Sequence, residues 1–179
     1  MRHTVGVADM KATADPGDII VTHALGSCLG ITVHDPVANV GGMVHVMLPD
    51  SGIDTDRARQ NPYTFVDTGV PLLFRECYKY GAMKERLRVY VAGGACKDSE
   101  NDFFQIGKRN LLMLRKLLWK NGVLISAEDV GGVAPRTMSL EIGTGAVVVK
   151  ITGEEVELGS AFPPGPGDNN VAECVGSGR

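Results

Sequence analysis

Alternating and β-branched runs dominate the first third of the chain. Thr4 to Ala8 alternates apolar and polar positions, and Asp18 to Thr22 is β-branched behind a Pro16-Gly17 turn. Leu29 to His34 and Met43 to Leu48 flank a loop holding Asp35-Pro36 and Gly41-Gly42, which predicts strand, turn, strand. Pro49 to Pro62 is polar and turn-rich, the pattern of an exposed loop long enough to carry function. Beyond it the period changes. Phe65, Val66, Val70, Leu73 and Cys77 recur at helical spacing and predict a helix over 63–80. Pro71 falls inside that helix, where a proline costs about 3 kcal/mol, so a kink or a late start near Val70 is expected.

Leu87 to Ala92 predicts a strand ending in Gly93-Gly94. Ile106 to Lys120 places Leu111, Leu114 and Leu118 along one side of a second helix that Asn121-Gly122 stops. Val123 to Val130, Met138 to Ile142 and Ala146 to Ile151 complete the strands, with Gly143-Thr144-Gly145 suited to a hairpin turn. From Gly159 onward the chain is rich in Pro, Gly and Asn and predicts a loose tail. Strands outnumber helices and often follow one another directly, so the class is α/β with mixed or antiparallel pairing. Residues 1–158 form one domain in this reading and 159–179 the tail.

Composition narrows the function classes. The chain has 179 residues, of which 44% are hydrophobic and 22% charged, which excludes collagen, wholesale disorder and an extended coiled coil. A formal charge of -3, without clustered Lys and Arg, makes nucleic acid an unsuitable partner. No apolar run reaches the roughly 18 residues of a membrane span, and Met1 to Val5 lacks a signal peptide's apolar stretch, so the expected location is the cytoplasm. Cys28, Cys77, Cys96 and Cys174 are widely spaced and read as free thiols. Neither Cys-x-x-Cys nor His-x-x-x-His occurs, so no metal or other cofactor is expected. The second helix carries Lys108, Arg109, Arg115, Lys116 and Lys120 and no acid, which reads as a solvated face or as a docking surface for an acidic partner.

The candidate chemistry lies in Thr22 to Gly30. Cys28 sits at a glycine-lined turn, where the backbone can bend sharply and N–H groups can receive an oxyanion. A thiolate is the nucleophile, and a neighbouring histidine can take its proton and lower its pKa from about 8.5. If the strands around the Asp35 to Gly42 loop pair as a hairpin, His45 returns to the level of Leu29 and Gly30, within range of Cys28. Thr22 ends the strand leading to the same turn and could hold the imidazole's other nitrogen. Gly26 and Ser27 are candidates for supporting substrate or oxyanion. Spacing alone leaves open whether Cys28 and His45 react or simply pack. A Gly-x-Ser-x-Gly elbow needs a following helix, and Leu29 to Val33 reads as strand, which excludes an α/β-hydrolase. Gly93-Gly94 lacks the third glycine of a dinucleotide loop. His23 points to the opposite strand face, His3 and His34 have no evident partner, and Cys77 reads as helix core.

These residues carry a family resemblance. Thr22 through Cys28, Asp35-Pro36, Gly42 to Pro49, Ala92 to Ala95, Ile106 to Asn110, and Glu128 to Gly132 with Arg136 resemble, in order, the CheD family of chemoreceptor glutamine deamidases. The resemblance runs from about Val5 to Leu158. It implies a β-sandwich flanked by helices, similar to the catalytic domain of the cytotoxic necrotizing factor deamidases. It also implies a Cys-His-Thr site with Cys28 as nucleophile, His45 as base and Thr22 as its orienting partner. The implied substrates are glutamines of methyl-accepting chemotaxis proteins, hydrolysed through a thioester, and the implied further partner is the CheC phosphatase. Ala24 stands where relatives often carry glycine, and His23 replaces a usual apolar residue. The competing reading is a non-catalytic module docking on chemoreceptors or on CheC, with Phe103 and Phe104 among its anchors. A Cys28 thiol titrating near its free value would favour the module.

Overall fold

Two five-stranded sheets face each other, and two long helices cover the outer face of one of them. The computed structural model describes residues 1–96 and 105–159. Its strands are β1 (Arg2–Val5), β2 (Asp9–Thr13), β3 (Ile19–Leu25), β4 (Leu29–Asp35), β5 (Val40–Val46), β6 (Arg88–Gly93), β7 (Ala127–Val130), β8 (Arg136–Glu141), β9 (Val147–Ile151) and β10 (Glu154–Gly159). The helices are α1 (Thr55–Gln60), α2 (Val66–Lys79) and α3 (Ile106–Lys120). One sheet has the order β1-β3-β8-β9-β10 and the other β2-β5-β4-β6-β7. Pairing is antiparallel except for β1 with β3 and β6 with β7, which run parallel. The class is therefore the mixed α/β sandwich expected.

The central strands β4 and β5 of the second sheet are buried on both faces. Along β4, Leu29, Ile31 and Val33 pack with Val70 and Leu73 of α2 and Leu114 of α3. In β5, Met43 turns the other way and packs with Ile20, Leu140 and Val149 of the facing sheet. This period of two explains why the inner positions of β4 and β5 read as polar or small: Gly30, Thr32, His34, Gly41 and His45 face a sheet rather than a helix. A Cβ at Gly41 would crowd Ile142 and Leu140 of the facing sheet, and one at Gly42 would crowd Leu73 of α2.

Several expectations are corrected. The helix over 63–80 begins at Val66, four residues before Val70, despite Pro71. Its start is tied down by Val66 N donating to Leu48 O at 2.9 Å and by the fully buried Phe65 and Val66, so tertiary anchoring outweighs the proline penalty. The loop over 49–62 holds α1, capped by the Asp54 carboxylate accepting from Arg57 N at 2.9 Å. The strand expected over 123–130 is confined to β7. Strands β2 and β10 were not expected: β2 is short and mixed in polarity, and β10 is an exposed edge carrying Glu154, Glu155 and Glu157. The turn at 143–145 does join a hairpin, with Glu141 N bonded to Ala146 O. His3 and His34 do have partners. His3 Nε2 pairs with the Asp18 carboxylate at 2.9 Å, and His34 Nε2 donates to Ile142 O at 2.8 Å. Cys77 is helix core, where burial pushes its thiol up to about 12. Phe103, Phe104, Cys174 and the tail beyond Gly159 lie outside the described residues.

Candidate active site

Four strand ends and one helix start converge at Cys28. The residue lies between β3 and β4, half-buried, with its side chain against the cluster that fills the space between the sheets. The β4–β5 ladder pairs Gly30 with His45 and ends at Leu29 with Val46, so the hairpin returns His45 to the level of Gly30, two residues from Cys28 in sequence. Thr22 reaches His45 from the opposite sheet.

A bulge makes that reach possible. In the β3–β8 ladder Thr22 pairs with Met138 and Leu25 with Arg136, so His23 and Ala24 together oppose one residue. Thr22 and Leu25 are three apart and would face opposite ways on a regular strand, yet both are fully buried. The extra residue absorbs the mismatch. Ala24 takes it up with a φ of 57°, a left-handed conformation that suits glycine, and His23 turns outward as expected.

Thr22 Oγ1 lies 2.8 Å from His45 Nδ1 and 2.8 Å from the Val5 carbonyl oxygen. The carbonyl can only accept, so the single hydroxyl proton goes to Val5 and the oxygen accepts from Nδ1–H. That assignment leaves Nε2 as the bare lone pair. Nε2 is buried and has no hydrogen-bond partner among the described residues. Burial also holds the His45 pKa below its ordinary value, so the ring is neutral at pH 7. Burial pushes the Cys28 thiol up, while its own backbone N–H, turned toward the sulfur, pulls the other way. Burial thus works against the expected lowering of the thiol by His45 and favours the neutral form of both groups in the resting protein. Alkylation of Cys28 then no longer separates an enzyme from a docking module.

The turn itself is held by main-chain groups. Gly94 N donates to Cys28 O and Ala95 N to Gly26 O, each at 2.8 Å. Gly26 N donates to Ala24 O at 2.9 Å, so that N–H is already engaged. Ser27 is exposed, and its carbonyl accepts from the Asn110 side chain of α3. Arg136, buried on β8, pairs through Nε with Asp129 of β7 at 2.8 Å and so links the two sheets. Two contributors escaped sequence reasoning. The Val5 carbonyl is a backbone group with no sequence signal, and Asn110 figured only as part of a motif.

Fold and site define a class: a two-sheet α/β protein in which a buried imidazole tied to a threonine hydroxyl and a half-buried thiol lie at neighbouring strand ends. A family model described as CheD chemotactic sensory transduction matches residues 47–151, beginning just past His45. The "Probable chemoreceptor glutamine deamidase CheD 1" of Syntrophus aciditrophicus is 50% identical over 149 residues, 83% of this chain and 93% of that one. The similarly named protein of Solibacter usitatus is 48% identical over 159 residues, covering 89% and 94%. The "Chemoreceptor glutamine deamidase CheD" of Thermotoga maritima is 41% identical over 160 residues, covering 88% and 98%. The chain belongs to the CheD family.

Proposed function

We propose that this protein hydrolyses side-chain amides of glutamines on methyl-accepting chemotaxis proteins, with Cys28 as nucleophile, His45 as base and Thr22 as orienting partner. The observation that carries the mechanism is the Thr22–His45 contact, which leaves Nε2 bare and buried. The names of the relatives supply the substrate class.

The Cys28 sulfur attacks the amide carbon as its proton passes to His45 Nε2, and the carbonyl oxygen becomes an oxyanion. The Cys28 N–H is the donor we assign to that oxygen, because the Gly26 N–H is bonded to Ala24 O. Ser27, exposed beside the thiol, is assigned to the substrate-facing rim, and Gly26 to shaping the turn. The oxyanion collapses, the C–N bond breaks, and His45 delivers its proton to the leaving nitrogen, releasing ammonia and a thioester. Water then loses a proton to Nε2 and adds to the thioester carbon. The C–S bond breaks, the sulfur recovers its proton, and glutamate is left on the receptor. Since both groups start neutral, proton transfer accompanies attack instead of preceding it. A scaffold shared with the cytotoxic necrotizing factor deamidases, a cytoplasmic location and a CheC phosphatase as further partner belong to the same proposal. Among the described residues no helix is long and apolar enough to cross a membrane. A module that only docks has no use for hydroxyl, imidazole and thiol in register.

The test is mass spectrometry of a glutamine-bearing chemoreceptor cytoplasmic fragment incubated with wild type or Cys28→Ala, with ammonia measured in parallel. Conversion of particular glutamines to glutamate by wild type alone is expected. Equal conversion by Cys28→Ala would sink the mechanism, and a fragment that binds wild type without conversion would establish the docking module.

A further inference from the structure

Asn110 is a fully buried polar residue in the second turn of α3. Its Nδ2 donates to Ser27 O at 3.0 Å and to Met47 O at 2.9 Å. Two carbonyl acceptors determine which end of the amide is nitrogen, and its Oδ1 is left buried without a partner. An unpaired buried amide oxygen costs stability, so what holds Asn110 in place is its two Nδ2 bonds. The two carbonyls belong to the segments that present the nucleophile and the base. Ser27 precedes Cys28, and Met47 follows His45 by two residues, just beyond the last rung of the ladder at Leu29 and Val46.

The geometry has a consequence for Cys28. A trans peptide is planar, with its C=O and N–H pointing opposite ways. With the Ser27 carbonyl held toward α3, the N–H of Cys28 must point away from α3, on the side of the turn away from that helix. The helix is set close enough to do this because Gly107 has no Cβ: one there would overlap the Gly94 and Ala95 carbonyl oxygens. We propose that Asn110 is a positioning residue that locks the Ser27–Cys28 peptide so that the Cys28 N–H faces the oxyanion formed on attack. This rests on the deamidase reading for its substrate, but the orientation of the N–H can be tested without that substrate.

Two probes of Cys28 separate the roles. An aldehyde adds to the thiol through its carbonyl carbon, the S–H proton passes to the oxygen, and the resulting hydroxyl oxygen occupies the place of the amide oxyanion and accepts from the same N–H. Iodoacetamide alkylates the sulfur by displacing iodide and forms no oxyanion. The experiment compares wild type with Asn110→Asp and Asn110→Leu for three quantities: acetaldehyde affinity at Cys28, iodoacetamide rate at pH 9, and receptor-fragment deamidation. Aldehyde affinity and kcat are expected to fall by about 10–100-fold in both variants, with KM and the iodoacetamide rate within about threefold. A parallel fall in the iodoacetamide rate, or unchanged aldehyde affinity, would overturn the proposal. If one variant fails to fold, the other carries the comparison. If wild type binds aldehyde but deamidates nothing, the deamidase reading fails while the positioning role is still decided by the aldehyde.

Discussion

Thr22 has one proton and two neighbours that could take it, and the Val5 carbonyl settles the choice. Everything about the candidate base follows: Nδ1 carries hydrogen, Nε2 does not, and the ring cannot rotate without losing its anchor. Thr22→Ala is therefore expected to lower kcat by about 10–100-fold, part of what a general base contributes, while Thr22→Ser keeps the hydroxyl and most of the rate. Steady-state kinetics on the receptor fragment decide this, and equal losses in the two variants would remove the hydroxyl from the mechanism. Ala24 offers a second test at this scale. Its left-handed φ costs a residue with a Cβ about 1 kcal/mol or more, so Ala24→Gly is expected to raise Tm by about 2–4 °C, read by calorimetry. Thr22, Cys28 and His45 were legible in the sequence because their side-chain chemistry is distinctive. The Val5 carbonyl was not, because every residue has one and only the fold brings this one to Thr22.

At the scale of elements, the site is made where strands end. The β3 bulge brings Thr22 and Leu25 to one face, and the Gly94-Ala95 segment beyond β6 clamps the Gly26 to Cys28 turn through two main-chain bonds. Gly93 has a φ of 110°, and a Cβ there would overlap the Cys28 carbonyl oxygen. Gly93→Ala should displace the nucleophile turn, lowering kcat at least about tenfold by misplacing reacting groups, with a loss of thermal stability as well. Kinetics and a melting curve check it, and a fully active, equally stable variant would show that the turn tolerates the shift. The two long helices were legible because their apolar spacing repeats over several turns. The bulge was hidden: the sequence reading ended this strand at Thr22, whereas β3 runs on to Leu25, and the extra residue is recognisable only against β8. The start of α2 was misjudged because the proline penalty is local, whereas its compensation comes from Leu48 and the buried Phe65.

For the whole molecule, burial of polar groups between layers sets the response to pH. His45 and His34 are both held below the ordinary imidazole value, because burial penalises the charged ring. Unfolding returns them to about 6.5, so between the folded values and that pH the unfolded chain binds more protons and stability rises with pH. Acidification below about 6.5 should therefore lower Tm. A second loss follows below about 4: burial pushes Asp35 up, but Arg86 and the amides of Met83, Ala38 and Val37 override it and hold the carboxyl at about 2. Calorimetry from pH 8 to 3 is expected to show both declines. A Tm that is level between pH 7 and 5 would mean that the two imidazoles are protonated in the folded protein.

The sequence by itself determined the strand-rich α/β class, the two long helices and the residue types of the candidate site. Each of these is written in local periodicity or in side-chain chemistry, which survive without neighbours. The tertiary structure decided which sheet each strand joins, the edge strands β2 and β10, the bulge at Ala24, the protonation pattern of His45 and the reach of Asn110 to Ser27 and Met47. Those depend on contacts between residues distant in the chain, where main-chain groups and burial do the selecting. A one-dimensional pattern of side chains carries almost no record of either.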